Sequence, residues 1–208
     1  MTTMEAALTA LDRAFGRRTG RTRPIEGCSH CFSAEELRRL SGPLDAIPDS
    51  ELFHAVFSWG STLDDSVPWL RWIAPRLLRA VAEGGSALDP EMVGCRLYAA
   101  RWRDWPEAEA IRVFCETLWR EALSDAEGAP RLELCFLVPL TDTVEPWLAI
   151  WSQTSGAVAD QHFRELWQAW GTAILAGRLD VCCYREGPNI APVLRDWVLA
   201  ESGHRALQ

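Results

Sequence analysis

A chain of 208 residues can bury a substantial apolar core without disulfide or metal staples, and 48% apolar against 24% charged residues is a globular balance, not a disordered one. The net charge of -8 at pH 7 argues against a general binder of nucleic acid or of anionic membranes, because neutralising phosphates needs a basic face. Eleven tryptophans exceed the usual share, all 21 basic residues are arginine and asparagine occurs once, at Asn189, a bias that reads as high-GC bacterial coding and not as a function.

The first residues, MTTMEAALTALDRAF, lack the basic region and long apolar run of a secretion signal, and no stretch approaches about eighteen consecutive apolar residues, so a cytoplasmic location is expected. Met4, Ala7, Leu8, Leu11 and Phe15 recur at helical spacing and predict a helix over 4–15 that stops at Gly16. From Arg17 to Cys31 the sequence is aperiodic and carries Arg17, Arg18, Arg21 and Arg23, which reads as an exposed basic connector ending in the turn Cys28-Ser-His-Cys31. Ser33 followed by Glu36 is a capping box, so a short helix over about 33–41 follows.

Asp49 or Ser50 is the expected cap of a helix through Leu52, Phe53, Val56 and Phe57 that ends near Gly60. A longer helix is predicted from about Asp65 to Glu83, with Pro68 in its first turn, Trp69, Trp72, Ile73, Leu77 and Leu78 inward, and a kink at Pro75. Asp89-Pro90 opens a helix through Val93, Leu97, Tyr98 and Trp102, and Trp105-Pro106 turns the chain into another over Ile111, Phe114, Cys115, Leu118 and Trp119. These two are expected to form an antiparallel hairpin. The apolar run LELCFLVPL, 132–140, is read as helix because its neighbours are helical, and further helices are predicted over 145–151, 158–175 and 190–201, with Gly177 ending the second of them. Only LDVCCY, 179–184, has β character.

The expectation is an all-α fold of about nine helices in a single domain over 1–208, with 17–31 as its Arg-rich connector and turn. A faint likeness between Phe114/Leu118/Trp119 and Phe163/Leu166/Trp167, about forty-eight residues apart, raises HEAT-like helical hairpins. The tryptophans fall in pairs three or four apart (Trp69/Trp72, Trp102/Trp105, Trp147/Trp151, Trp167/Trp170), which places both rings of a pair on one helix face and reads as core packing ahead of a ligand cage.

Seven scattered cysteines, an odd number, do not make a disulfide framework in such a chain and are expected to be reduced. Cys28 and Cys31 are the candidate metal ligands, and a closed zinc site would need two more, drawn from Cys182, Cys183 or His162, with His54 and His204 as further histidines. Redox use is the second chemistry open to the pair, since neighbouring arginines and a following helix N-terminus lower a thiol pKa, although both thiols precede the Ser33 cap and no upstream strand is predicted. Inert packed thiols are the simplest reading. Asp64/Asp65 and Glu107/Glu109 lie at predicted helix starts, where the helix dipole already favours carboxylates. No nucleophile elbow, Gly-rich phosphate loop or Walker pattern occurs.

Cys28-x-x-Cys31 with Glu35-Glu36-Leu37, Leu44-Asp45-Ala46-Ile47-Pro48, Trp59-Gly60, Asp64-Asp65, Pro75-Arg76-Leu77-Leu78 and Trp105-Pro106-Glu107-Ala108-Glu109 resembles a family of bacterial all-helical proteins for which no activity is known. The resemblance implies an all-helical cytosolic fold. Trp72 stands where that family's pattern leads one to expect a histidine, which counts against a histidine-dependent site. These readings converge on a non-enzymatic protein-protein interaction protein, an adaptor or immunity-like component that binds another protein and neither nucleic acid nor membrane, with self-association open. No cofactor is expected; the alternative is a thiol or zinc protein centred on Cys28 and Cys31.

Overall fold

The computed structural model describes residues 2–16, 23–60, 62–84, 88–179, 181 and 187–205, with side chains to 202. Among these residues the protein is all-α, with ten α-helices, two 3-10 turns and a lone antiparallel bridge between Gly27 and Leu63 in place of any sheet. The arginines Arg17, Arg18 and Arg21, the pair Cys182/Cys183 with most of the LDVCCY segment, and the side chain of His204 lie outside the described residues.

Helix α1 (Met4–Phe15) starts at Thr3, whose hydroxyl accepts from the Ala6 amide, and ends at Gly16 with φ +66°. Helix α2 (Ala34–Leu40) shows both bonds of the capping box: the Glu36 amide donates to Ser33 Oγ at 3.2 Å, and the Ser33 amide donates to the Glu36 carboxylate at 2.7 Å. Helix α3 (Asp49–Phe57) departs from expectation at its start, because Pro48 takes the extended capping position and offers no side-chain acceptor. Asp49 is thereby drawn into the first turn, where its carboxylate pairs with Arg76.

Helix α4 (Ser66–Glu83) carries Pro75 in its interior without ending there, and Asp65 before it adopts a left-handed conformation and makes no side-chain cap. Helix α5 (Pro90–Ala99) is capped as anticipated, the Glu91 amide donating to Asp89 Oδ1 at 2.9 Å. It ends sooner than expected. Arg101 turns left-handed at φ +56°, and Trp102 falls in the 3-10 turn Trp102–Asp104. Helix α6 (Ala108–Ser124) follows, then α7 (Pro130–Thr141), α8 (Glu145–Ser152), α9 (Ala157–Leu175) and α10 (Ala191–Arg205). The ambiguous apolar run is helical, as its surroundings implied.

Helix α6 is the hub, packing on α1, α7, α8 and α9 through Ile111, Phe114, Leu118, Trp119 and Leu123, all buried. The expected α5–α6 hairpin is not the dominant pairing. Helix α5 packs chiefly on α7, and α1 reaches across the chain to α6, so partners distant in sequence replace the consecutive hairpins of a HEAT-like stack. The α5–α7 fit depends on Gly94, where a Cβ would stand 2.4 Å from the Phe136 carbonyl oxygen.

The apolar core runs as one cluster from Leu11 to Val198. Its largest side chains include Trp69, Trp119, Trp151, Phe114 and Phe136, all essentially fully buried. Trp119, Trp151, Trp197 and Phe163 form a chain of ring contacts at 5.2–5.5 Å linking α6, α8, α9 and α10. Indole N–H groups are satisfied inside the fold: Trp69 donates to Leu40, Trp102 to Leu140, Trp105 to Ala100, Trp119 to Trp147 and Trp151 to Ala159, each at a backbone carbonyl. Three of the four tryptophan pairs are buried together, in accord with core packing. The fourth is different, since Trp167 is 37% exposed.

Candidate functional site

The segment carrying Cys28 and Cys31 is held from both sides by buried anchors, Ile25 before it and Phe32 after it. The Cys28 amide donates to the Thr62 carbonyl at 2.8 Å and the Asp64 amide to the Glu26 carbonyl at 2.9 Å, so residues 26–28 lie as a short ribbon along 62–64. This approach requires Gly27, where any Cβ would come within 2.7 Å of the Thr62 oxygen. The Ile25 amide donates to Ser41 Oγ at 2.7 Å, which ties the same segment to the end of α2.

From that ribbon the chain closes into one tight turn: the Cys28 carbonyl accepts from the amides of Cys31 and Phe32, each at 3.0 Å. Cys28 is exposed and Cys31 half-buried against the core, and the turn brings the two residues into near-contact. The Cys28 thiol is held below its ordinary value by the backbone N–H of His30, then by that of Cys31 and by the Cys31 thiol. Cys31 is pushed the other way, chiefly because its proton is engaged by Cys28. The pair is therefore unequal.

The additional ligands a zinc site would require are not gathered here. His162 is buried on α9, where Nε2 bonds the Asp125 carbonyl at 2.8 Å and Nδ1 faces the Glu165 carboxylate at 3.4 Å; it braces α9 against the α6–α7 connection. His54 lies against the ring of Phe32, at 4.9 Å between centroids. Among the described residues no group of three or more His, Cys, Asp or Glu side chains is placed to hold a metal ion. Cys182 and Cys183 lie outside those residues.

The acidic pair Glu107/Glu109 is likewise split between structural roles. Glu107 is buried and receives a bidentate pair from Arg71 at 2.7 and 2.8 Å, while Glu109 is bound by Arg112 on its own helix. A concavity of about 550 Å³ beside α1 and α4 contains Arg76 and Arg79, but Asp49 and Asp12 neutralise them, so it has no net attraction for an anion. One half-buried acid was missed in the sequence. Glu133, on α7, is pushed up to about 7 by desolvation, and its charge in turn adds to the elevation of the deeply buried Cys115 thiol on α6. Its signal was available, because Glu133 and Leu137 are four apart and share a helix face.

The fold and this turn together define an all-helical protein with a preformed pair of thiols at its N-terminal end. Comparison with models of known families, with curated proteins and with solved structures found no match.

Proposed function

We propose that the chain, taken as one helical domain over 1–208, is a non-enzymatic interaction protein of a bacterial cytoplasmic system, adaptor or immunity-like in role, and that α9 carries its contact surface. The observation supporting this reading is the departure of α9 from the packing of every other tryptophan pair. Trp167 is 37% and Leu175 67% exposed, and with Gly171 between them they make an i, i+4, i+8 stripe along one flank. The six-membered part of the Trp167 ring lies over Gly171, 3.2 Å from where a Cβ would be, so the indole rests flat on the helix and presents its other face outward.

A rigid, outward aromatic beside an aliphatic anchor is the composition that concentrates binding energy at protein interfaces. The net charge of -8 favours a partner with a basic rim, since complementary fields speed encounter and reject acidic competitors. A membrane partner finds no support in the helices, none of which among the described residues is long and apolar enough to cross a bilayer. The resemblance to a bacterial helical family through Cys28-x-x-Cys31 belongs to the same proposal.

The test is capture of partners from the native host with the full chain and with a Trp167→Ser/Leu175→Ser variant, followed by titration of any partner recovered. Both side chains are exposed, so the melting temperature of the variant stays within a few degrees of the parent. A stoichiometric partner retained by the parent and lost by the variant supports the proposal. No stoichiometric partner, or one indifferent to the variant, refutes it.

A further inference from the structure

The geometry points to a second site, independent of α9: we propose that Cys28 and Cys31 form a thiol–disulfide exchange site whose substrate class is an accessible disulfide, with Cys28 as the attacking and Cys31 as the resolving sulfur. The reasoning begins with the backbone. A turn closed by the bond from the Cys31 amide to the Cys28 carbonyl keeps the two Cα atoms within about 7 Å, and disulfides span about 4.4–6.8 Å, so ring closure needs no unfolding of the segment.

Exposure assigns the roles. Cys28 faces solvent, where an incoming disulfide can align with it, while Cys31 is half-buried against the core. The anchors Ile25 and Phe32 and the ribbon bonds to Thr62 and Asp64 fix this arrangement before any substrate arrives. By contrast Cys95 and Cys115 are buried, and burial pushes the Cys115 thiol far up, so they are poor competitors.

The chemistry balances as two displacements. Cys28 thiolate attacks one sulfur of R–S–S–R, forming a protein–S–S–R bond and releasing R–S⁻, which takes a proton from solvent. Cys31, having lost its proton, then attacks Cys28 Sγ, forms the Cys28–Cys31 bond and releases the second R–S⁻. The protein dithiol is oxidised by two electrons, the external disulfide is reduced to two thiols, and no further oxidant is required.

The experiment uses the full chain with Cys182→Ser/Cys183→Ser as background, equilibrated in glutathione redox buffers, quenched by alkylation and mapped by mass spectrometry on the peptide carrying both cysteines. Loss of two hydrogens from that peptide, alkylation of Cys28 at least tenfold faster than of Cys31 at neutral pH, and accumulation of a mixed disulfide on Cys28 in a Cys31→Ser variant are expected. An arm with insulin separates the substrate sources: turnover there assigns protein disulfides, and exchange with oxidised glutathione alone assigns small ones. Circular dichroism confirms that each variant is folded. The proposal is overturned if Cys31→Ser traps no adduct, if Cys31 is the faster thiol, or if the parent with all its cysteines carries one equivalent of zinc that shields both sulfurs.

Discussion

Replacing Glu133 by glutamine tests whether a carboxylate is buried against its preference between α6 and α7. Its pKa is raised from 4.5 to about 7 by desolvation, with the Cys115 thiol on α6 near it. At about 1.4 kcal/mol for each tenfold change in proton affinity this displacement corresponds to about 3 kcal/mol, trimmed to about 2 kcal/mol by the part of the side chain still reaching water. The sign follows from which state holds the proton more tightly. Between pH 4.5 and 7 the folded protein is protonated at Glu133 and the unfolded chain is not, so this contribution is intact below pH 4.5 and is lost as pH rises through 7. Carboxylates such as Glu35, Glu109 and Glu165, whose pKa values are lowered by arginine, glutamine or histidine partners, titrate in the opposite sense and lower, so a comparison of variant with parent isolates Glu133. Urea denaturation followed by tryptophan fluorescence at several values between pH 5 and 8 should show Glu133→Gln gaining on the parent by about 2 kcal/mol across that range. Parallel stability profiles for the two proteins would falsify the assignment.

Gly94→Ala should lower the melting temperature even though alanine gains about 1 kcal/mol of intrinsic helix propensity, because a Cβ 2.4 Å from the Phe136 carbonyl meets backbone that cannot rotate away; the expected net loss is about 2 kcal/mol. Arg71→Ala should cost more than Glu107→Gln in chemical denaturation, by about 1 kcal/mol or more, since the first takes a bidentate cation from a carboxylate only 6% exposed while the second leaves an arginine 40% exposed and able to turn to water. Ser33→Ala removes the acceptor for the Glu36 amide and should cost about 1 kcal/mol, with faster hydrogen exchange at that amide as the local readout. Trp119→Ala should cost about 3–5 kcal/mol by calorimetry, while Trp167→Ala costs well under half of that.

Local chemistry was well written in the sequence. The Ser33/Glu36 box, Asp89 before Pro90 and the stop at Gly16 each depend on a few adjacent residues, and each appears in the structure at its expected place. Pro48 shows the limit of such reading, because a good capping residue at 49 loses to a proline whose fixed φ already suits the position before the first turn. What could not be read was pairing. The choice of α7 over α6 as partner of α5 is made by a backbone contact at Gly94 with a residue forty-two positions away, and nothing local to either segment records it. The thiol pair was half legible: the spacing of Cys28 and Cys31 was plain, but their difference in exposure and the ribbon to 62–64 that anchors them come only with the folded chain. The tryptophan pairs, alike in spacing, differ in exposure for the same reason, since period fixes the face and neighbours decide whether anything covers it.

The union of α1 with α6 sets a schedule for synthesis. The Met4 amide bonds the Glu121 carboxylate at 2.8 Å, so the opening helix docks fully only on a segment made more than a hundred residues later. At elongation rates of about 5–20 residues per second the greasy flank of Ala7, Leu11 and Phe15 waits roughly 5–20 s beyond the ribosome exit before α6 emerges to receive it. A nascent chain of this protein is therefore a client for whatever shields apolar surface during translation, and truncated products ending before α6 are the ones most prone to aggregate.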